Sequence, residues 1–224
     1  MDIMEAMRER HAVRSYTDEP ISEEAKAALQ QKIDEVNREG NLHVQMVCDE
    51  PKAFDGFMAH YGKFSGVTNY IAMIGPKGDD LSERIGYYGE ELVLLAQQLG
   101  LNTCWVAMTY SKVKTAYELR AGEKLAVVIS LGHGETQGSA HKSKGAEEVS
   151  TVEGGGEAPE WFKRGVEAAL LAPTASNQQV FHLTLKDGDK VEAKPGTGFY
   201  SHVDLGIVKL HFELGAGTEN FTWA

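Results

Sequence analysis

The feature that most constrains the fold of this 224-residue chain is a series of helix and strand patterns that occurs twice, on either side of a glycine-rich segment. The first and longer series ends near residue 150. Residues 151–158 include three consecutive glycines at 154–156, a composition typical of a linker. From residue 159 similar pattern types begin again in the same order. We therefore predict a first half of residues 1–150, a linker of residues 151–158 and a smaller second half of residues 159–224.

The first half alternates between helical and strand periodicity. Ser22 is a suitable N-cap and Gly40 a suitable stop for a helix between them, and a long amphipathic helix ends at Gly100. Apolar spacing and alternation together predict helices over 1–10, 22–40, 79–101 and 111–120, and strands over 42–49, 67–75, 102–108 and 124–134.

The second half has a helical pattern over 159–173, a hairpin pattern centred on Asp187-Gly188 and a further helical pattern over 201–217. When residues 91–101 are aligned with residues 206–216, four of eleven positions match, including Gly100 with Gly215. The matches favour a duplicated half. Two unrelated amphipathic helices would also give such matches, and that alternative stays open.

The charge balance excludes some classes of partner. The chain has 22 Lys and Arg residues against 33 Asp and Glu residues, a net charge of −11, so its surface would repel nucleic acid and anionic membranes. The longest purely apolar run, 126–131, is too short to span a bilayer, and the acidic N-terminus lacks a signal-peptide pattern. We therefore expect a cytoplasmic protein that binds neither nucleic acid nor membranes, with Cys48 and Cys104 as reduced core thiols.

Common catalytic fingerprints are missing from the sequence. There is no Gly-x-Gly-x-x-Gly, Gly-x-x-x-x-Gly-Lys or Gly-x-Ser-x-Gly motif, which argues against a Rossmann dinucleotide site, a P-loop and a serine hydrolase. His202, Asp204 and His211 lack the helical histidine pairing that a metal site favours, so no metal site is predicted. The remaining candidates are cationic and amide side chains at separated positions.

Four stretches together resemble the nitroreductase family of flavin oxidoreductases. Residues 8–21, RERHAVRSYTDEPI, are similar to its N-terminal signature of a basic pair, a small residue and a further basic residue. Residues 172–179, APTASNQQ, resemble its Ala-Pro-Ser-x-x-Asn-x-Gln element. Residues 92–108 resemble its central helix and next strand, and residues 125–149 its late strand and basic segment. The resemblance implies an α+β, nitroreductase-like fold with a central, mixed, mainly antiparallel sheet flanked by helices.

The resemblance also implies which residues would bind FMN. Arg10 and His11 would lie on the phosphate and ribityl side, with Ala12 beside them, and Arg14 would lie at the pyrimidine edge. Guanidinium groups suit these positions because they stay charged and offer forked donors to oxygen atoms. A solvated helix face is the structural alternative for Arg10 and Arg14.

The other implied FMN contacts come from later segments. Lys142 or Lys144 would supply a second cation for the phosphate, or would belong to a charged linker. Ala107 and Met108 would bring backbone to the reactive flavin nitrogen. The second-half element would contact the polar edge of the flavin, although its Asn and Gln could instead close a turn. Its implied contact residues are Pro173, Thr174, Ser176, Asn177 and Gln179.

The implied activity is that of an FMN-dependent NAD(P)H oxidoreductase, which reduces nitroaromatic or quinone-like acceptors by a ping-pong hydride mechanism. The flavin would carry the chemistry, so no catalytic side chain is predicted. The alternative is a flavin-binding or structural protein on the same fold with little or no turnover.

The order of two motifs departs from the family's usual order. In the family the Asn-containing element follows the basic signature within a few tens of residues, whereas here it occurs only in the second half. Family sites lie at a dimer interface and use both subunits. We therefore predict a fused pseudo-dimer, in which residues 160–224 replace the partner subunit and complete one FMN site per chain. The alternative is a conventional homodimer whose second half reaches across to the other chain.

Overall fold

Two four-stranded sheets, each covered by helices, carry the fold. The computed structural model describes residues 1–224. Helices α1–α7 span Ile3–Glu9, Glu23–Glu39, Phe57–Tyr61, Leu81–Gln98, Ala146–Val149, Glu160–Ala169 and Ser201–Ala216. Strands β1–β8 span Gln45–Val47, Asn69–Pro76, Asn102–Val106, Glu123–Gly132, Ser150–Val152, Phe181–Lys186, Lys190–Pro195 and Thr222–Trp223.

The first sheet has the order β1-β2-β4-β3, and all its neighbours are antiparallel. Helices α2 and α4 pack against it, and the contact includes the fully buried residues Leu29 of α2, Leu92 of α4 and Ile129 of β4. The predicted caps of α2 are confirmed: the Ser22 hydroxyl accepts from the Ala25 N–H at 3.1 Å, and Gly40 is the C-cap. Gly40 is needed because a Cβ there would overlap the ring of Tyr88.

The second sheet has the order β5-β6-β7-β8. Strands β6 and β7 form the predicted antiparallel hairpin, whereas β5 and β8 add parallel edges. Helices α6 and α7 pack on this sheet, with Phe162, Leu183 and Phe212 in a separate core cluster. Each sheet therefore has its own core.

Helices α4 and α7 join the two halves through a reciprocal glycine contact. A Cβ at Gly86 would overlap the carbonyl oxygen of Val203, and a Cβ at Gly206 would overlap the carbonyl oxygen of Glu83. Gly206 lies three residues after Val203, and Gly86 lies three residues after Glu83, so the two contacts are equivalent. This self-complementary relation is characteristic of a two-fold interface. The close approach brings the N-terminal turns of α4 and α7 together.

Two sequence-based expectations are wrong in detail. Residues 111–120 form an irregular loop rather than a helix, because Val113, Ala116 and Tyr117 pack against a buried cluster and a short isolated helix is only marginally stable. Gly100 follows the end of α4 and Gly217 ends α7, and both glycines have positive φ. The alignment of the two helices instead pairs Gly100 with Gly215, which lies inside α7 and is not the equivalent position.

The predicted linker is also partly ordered into the second sheet. Thr151 and Val152 belong to β5, which pairs in parallel with β6, and residues 153–155 form a short 3-10 helix. Backbone hydrogen bonding to β6 explains the difference, since the composition of residues 151–158 indicates only flexibility. The predicted α+β class is confirmed, with antiparallel strands flanked by helices in two sheets. None of the helices is both long and apolar enough to cross a membrane.

Candidate functional site

A cleft lies where the N-terminal segment, the end of β3, the loop after α6 and the start of α7 meet. Both halves of the chain therefore line it. Its lining includes these residues implied by the sequence: Arg10, Ala12, Arg14, Ala107, Pro173, Thr174 and Ser176. It also includes residues that the sequence did not assign to the flavin site, namely Cys104, Trp105, Val106, Val127, Ala175, Tyr200, Val203, Asp204 and Ile207.

The N-terminal signature runs alongside β3. Arg10 caps the end of α1, and Ala12 then forms an isolated parallel bridge with Thr103, where the Val13 N–H donates to the Thr103 carbonyl at 3.0 Å. Extended backbone sends alternate side chains to opposite sides. Val13 consequently enters the core, while Ala12 and Arg14 face the cleft.

The side chains of Arg10 and Arg14 make no hydrogen bond with any other group of the protein. The Arg10 side chain is 5% exposed, and its Nε is a buried atom without a hydrogen-bond partner. The nearest acid is Glu90, with Oε1 3.7 Å from Arg10 Nε. Arg14 is exposed and lies over the ring of Phe64, with 5.8 Å from its Cζ to the ring centroid. A buried guanidinium with free donors is unfavourable unless an acceptor binds it.

The loop after α6 is held in an uncommon conformation. Ser176, Asn177 and Gln179 all have positive φ, with values from 45° to 53°. Such strain in residues other than glycine persists only where the surroundings impose it, and it is concentrated at functional sites. Here the carboxylate of Asp204 accepts from the Ala175 N–H at 3.0 and 3.1 Å and from Gln178 Nε2 at 2.8 Å.

Asp204 is the only acidic residue that lines the cleft. It lies in the first turn of α7 and is 5% exposed. Burial raises the pKa of its carboxyl from 3.8 to about 6, although the hydrogen bonds from Gln178 and Ala175 act in the opposite direction. No sequence pattern identifies this role, because the partners of Asp204 come from a loop some 30 residues earlier.

Four implied contact residues lie outside the cleft lining and connect two segments instead. Gln179 donates from Nε2 to the Lys142 carbonyl at 2.9 Å, and its Oε1 accepts from the Lys144 N–H at 3.0 Å. Asn177 Nδ2 also donates to the Lys142 carbonyl, at 2.9 Å. The Lys144 ammonium donates to the Gln179 carbonyl at 2.9 Å. These bonds fasten the basic segment to the strained loop, while the Lys142 side chain is exposed.

The remaining two implied residues also lie outside the main cleft. Met108 is 65% exposed. His11 lines a smaller adjoining pocket together with Arg8, His141 and Ser143, and Arg10 lines both pockets. Burial, and the charge of Arg10 after it, lower the pKa of His11. The smaller pocket thus places a further arginine, Arg8, and the imidazoles of His11 and His141 beside Arg10.

Trp105 is a lining residue that sequence reasoning could have found. It lies in β3, two positions before Ala107, which directly follows the strand, and alternation of extended backbone places both on one face. Its indole N–H donates to Glu90 Oε2 at 2.9 Å. A Cβ at Gly89 would overlap the Trp105 ring, so this glycine makes room for it.

Comparison with known families and structures agrees with this fold. The family described as "Putative TM nitroreductase" matches residues 2–216. The crystal structure of a "putative nitroreductase" from Thermotoga maritima aligns with a TM-score of 0.65 and 22% identity, over 96% of this chain and 83% of that chain. A comparison with curated proteins gave no match.

Two further structures align with about two thirds of this chain. One is a "putative nitroreductase in complex with FMN" from Desulfovibrio desulfuricans, with a TM-score of 0.51 and 18% identity, over 66% of this chain and 95% of that chain. The other is a nitroreductase family protein from Streptococcus pneumoniae, with a TM-score of 0.52 and 12% identity, over 66% of this chain and 98% of that chain. At these identities the similarity is one of fold. Because the family match extends over nearly the whole sequence and the fold agrees with it, the chain belongs to the nitroreductase family.

Proposed function

We propose that the protein is an FMN-dependent NAD(P)H oxidoreductase that reduces nitroaromatic or quinone-like acceptors. The observation that carries the proposal is Arg10, whose side chain is buried at the cleft and whose Nε has no hydrogen-bond partner. An anionic or carbonyl-bearing ligand would supply the missing acceptors. The Desulfovibrio desulfuricans structure is a complex with FMN, which supports the same cofactor here.

The donor set of the cleft fits FMN. Arg10, Arg14 and the smaller pocket offer cationic donors for a phosphate and for carbonyl oxygens, while Trp105, Val106, Val127 and Ile207 offer apolar surface for a planar ring. Arg14 is stacked on Phe64 and therefore already oriented. We propose that the phosphate lies on the side of Arg10 and His11, with the exposed Lys142 as the second cation, because the Lys144 ammonium already donates to the Gln179 carbonyl.

Bound FMN would supply the redox chemistry, in which hydride from NAD(P)H and electrons for the acceptor pass through one site in a ping-pong sequence. The chain's own residues would bind and orient it. Arg14 would donate to carbonyl oxygens at the pyrimidine edge, and the backbone around Ala107 would approach the ring. Asp204 would hold the 175–178 loop as the opposite wall.

We further propose that this site is completed within one chain. The cleft draws Arg10, Arg14 and Ala107 from the first half and Thr174 and Asp204 from the second half of the same chain. The reciprocal contact of Gly86 and Gly206 has the form of a two-fold subunit interface, but joins two helices of one chain. The Desulfovibrio protein aligns over 95% of its length with 66% of this chain. This is consistent with a chain that contains one nitroreductase-like unit and an additional portion that could complete the site.

The cofactor proposal is tested by purification and titration. We expect a yellow protein that releases FMN on denaturation, and a loss of about 10- to 150-fold in FMN affinity for Arg10→Ala, equivalent to about 1.5–3 kcal/mol. Arg38→Ala, on the exposed face of α2, is the matched control and should bind FMN normally. A colourless protein that takes up no added FMN would refute the proposal.

Turnover and site architecture need separate measurements. If NADH and NADPH both fail to bleach the bound flavin, the alternative of a flavin-binding protein without turnover is favoured. For the architecture, we expect one FMN per monomer. Thr174→Trp would fill the cleft from the second half and block FMN binding. If each site is completed within one chain, mixing this variant with Arg10→Ala restores no site, so neither variant should regain FMN. Recovery in the mixture would show that sites are shared between chains.

A further inference from the structure

Two ionisable side chains with no part in the proposed function face each other directly behind the cleft. Glu90 on α4 and His211 on α7 are both fully buried. Glu90 Oε1 is 3.0 Å from His211 Nε2, and Glu90 Oε2 accepts from the Trp105 indole. Arg10 Nε lies 3.7 Å from the same Oε1 atom and forms no hydrogen bond with it. The pair therefore adjoins two residues that line the cleft.

The hydrogen-bond partners determine how many protons this pair holds. A carbonyl oxygen can only accept, so the 3.2 Å contact between His211 Nδ1 and the Ala168 carbonyl requires a proton on Nδ1. The contact between Nε2 and Oε1 then needs one further proton, carried either by the imidazole or by the carboxyl group. In both cases the charges of Glu90 and His211 sum to zero.

This proton count decides how Arg10 acts on the cleft. If Glu90 were an uncompensated carboxylate, it would be the counter-ion of Arg10, and the positive charge offered to a ligand would be largely cancelled. We propose that His211 is a positioning residue which, by sharing one proton with Glu90, keeps the charge of Arg10 available for an anionic ligand in the cleft. The inference rests on the proposed function, in which that ligand is FMN.

The pseudo-symmetry of α4 and α7 argues against a role in helix packing alone. The sequence offset between Gly86 and Gly206 also relates Glu90 to Leu210 and Glu91 to His211. The pseudo-symmetric counterpart of the Glu90–His211 pair is therefore the pair of Leu210 and Glu91. On that side of the helix pair Leu210 is buried among apolar residues, while Glu91 is partly exposed and pairs with Lys32. The buried proton-sharing pair thus occurs only beside Arg10, where the cleft is.

The test is a double-mutant cycle read as FMN affinity of the apo-protein. His211→Leu removes the proton and leaves Glu90 as the counter-ion of Arg10, so FMN affinity should fall on the order of tenfold or more. Glu90→Gln should bind within about threefold of wild type, since its amide donates to His211 Nε2 and still accepts from Trp105. The double variant Glu90→Gln/His211→Leu should recover to within about threefold. A merely structural pair would instead make the double variant the weakest binder.

Two further measurements keep the inference falsifiable. If His211→Leu does not fold, His211→Gln preserves a hydrogen bond to Glu90 without the charge; it should lose affinity likewise and be rescued by Glu90→Gln. If wild type binds no FMN, the proposed function fails, and the proton count is then tested alone by ¹⁵N chemical shifts of His211. A neutral imidazole with its proton on Nε2, or unchanged FMN affinity in either His211 variant, would overturn the inference.

Discussion

Asp204 makes a quantitative prediction about stability because its pKa differs between the folded and the unfolded chain. Burial raises that pKa from 3.8 to about 6 in the folded protein. The contribution of the group to stability is therefore fully present below about pH 3.8, where the carboxyl is protonated in both states, and is lost as the pH rises towards 6. At about 1.4 kcal/mol per tenfold change in proton affinity, the loss is about 3 kcal/mol.

Asp204→Asn removes this titration while preserving the shape of the protonated carboxyl. The difference in unfolding free energy between the variant and wild-type apo-protein should move by about 2.5 kcal/mol in favour of the variant between pH 4 and pH 7. Urea unfolding at half-unit pH intervals measures this difference, and effects of other groups cancel because they occur in both proteins. Asp187→Asn, in the exposed hairpin turn, is the control and should give a flat difference.

Two results would refute the reasoning. A constant difference between Asp204→Asn and wild type across this pH range would mean that burial of the carboxyl does not raise its proton affinity. A variant that becomes less stable relative to wild type as the pH rises would mean that the hydrogen bonds from Ala175 and Gln178 outweigh desolvation, and that the ionised carboxylate stabilises the loop.

Five further substitutions, two matched pairs and one single variant, test the packing and the helix cap. Gly86→Ala should lower the unfolding free energy by at least about 3 kcal/mol, because its Cβ would overlap a backbone carbonyl of α7. Gly100→Ala should lower it by about 1–2 kcal/mol, because the space around Gly100 is open but its φ is positive. Chemical denaturation distinguishes the two. Tyr110→Phe should raise the unfolding free energy by about 1 kcal/mol, because the buried hydroxyl of Tyr110 has no hydrogen-bond partner. Tyr16→Phe should lower it by about 1 kcal/mol, because the Tyr16 hydroxyl is hydrogen-bonded to the Val13 carbonyl and to Ser130. Similar effects in both variants would contradict this. Ser22→Ala should lower the thermal midpoint through about 1 kcal/mol of lost capping, and an unchanged midpoint would contradict the assigned cap.

Parts of the candidate site were accessible from local sequence patterns. The N-terminal signature led to Arg10, Ala12 and Arg14, and the structure brings all three to the cleft beside Ala107. Their convergence follows from extended backbone, since alternate residues of a strand-like segment share a face. Local patterns could not place Lys142 and Lys144, because their contacts with Asn177 and Gln179 depend on hydrogen bonds between segments 35 or more residues apart.

The sequence by itself determined the elements whose stability depends on near neighbours: the caps of α2, the hairpin at Asp187-Gly188 and the long apolar faces of α4 and α7. Periodicity, capping and turn chemistry act over a few residues, so they can be read from a short window. Only the tertiary structure decided that α4 and α7 cross at two glycines, and this crossing brings Glu90 to His211. The long-range fold likewise brings Asp204 to the strained loop. The Glu90–His211 contact joins residues 121 positions apart, and no local pattern specifies which buried group will meet which.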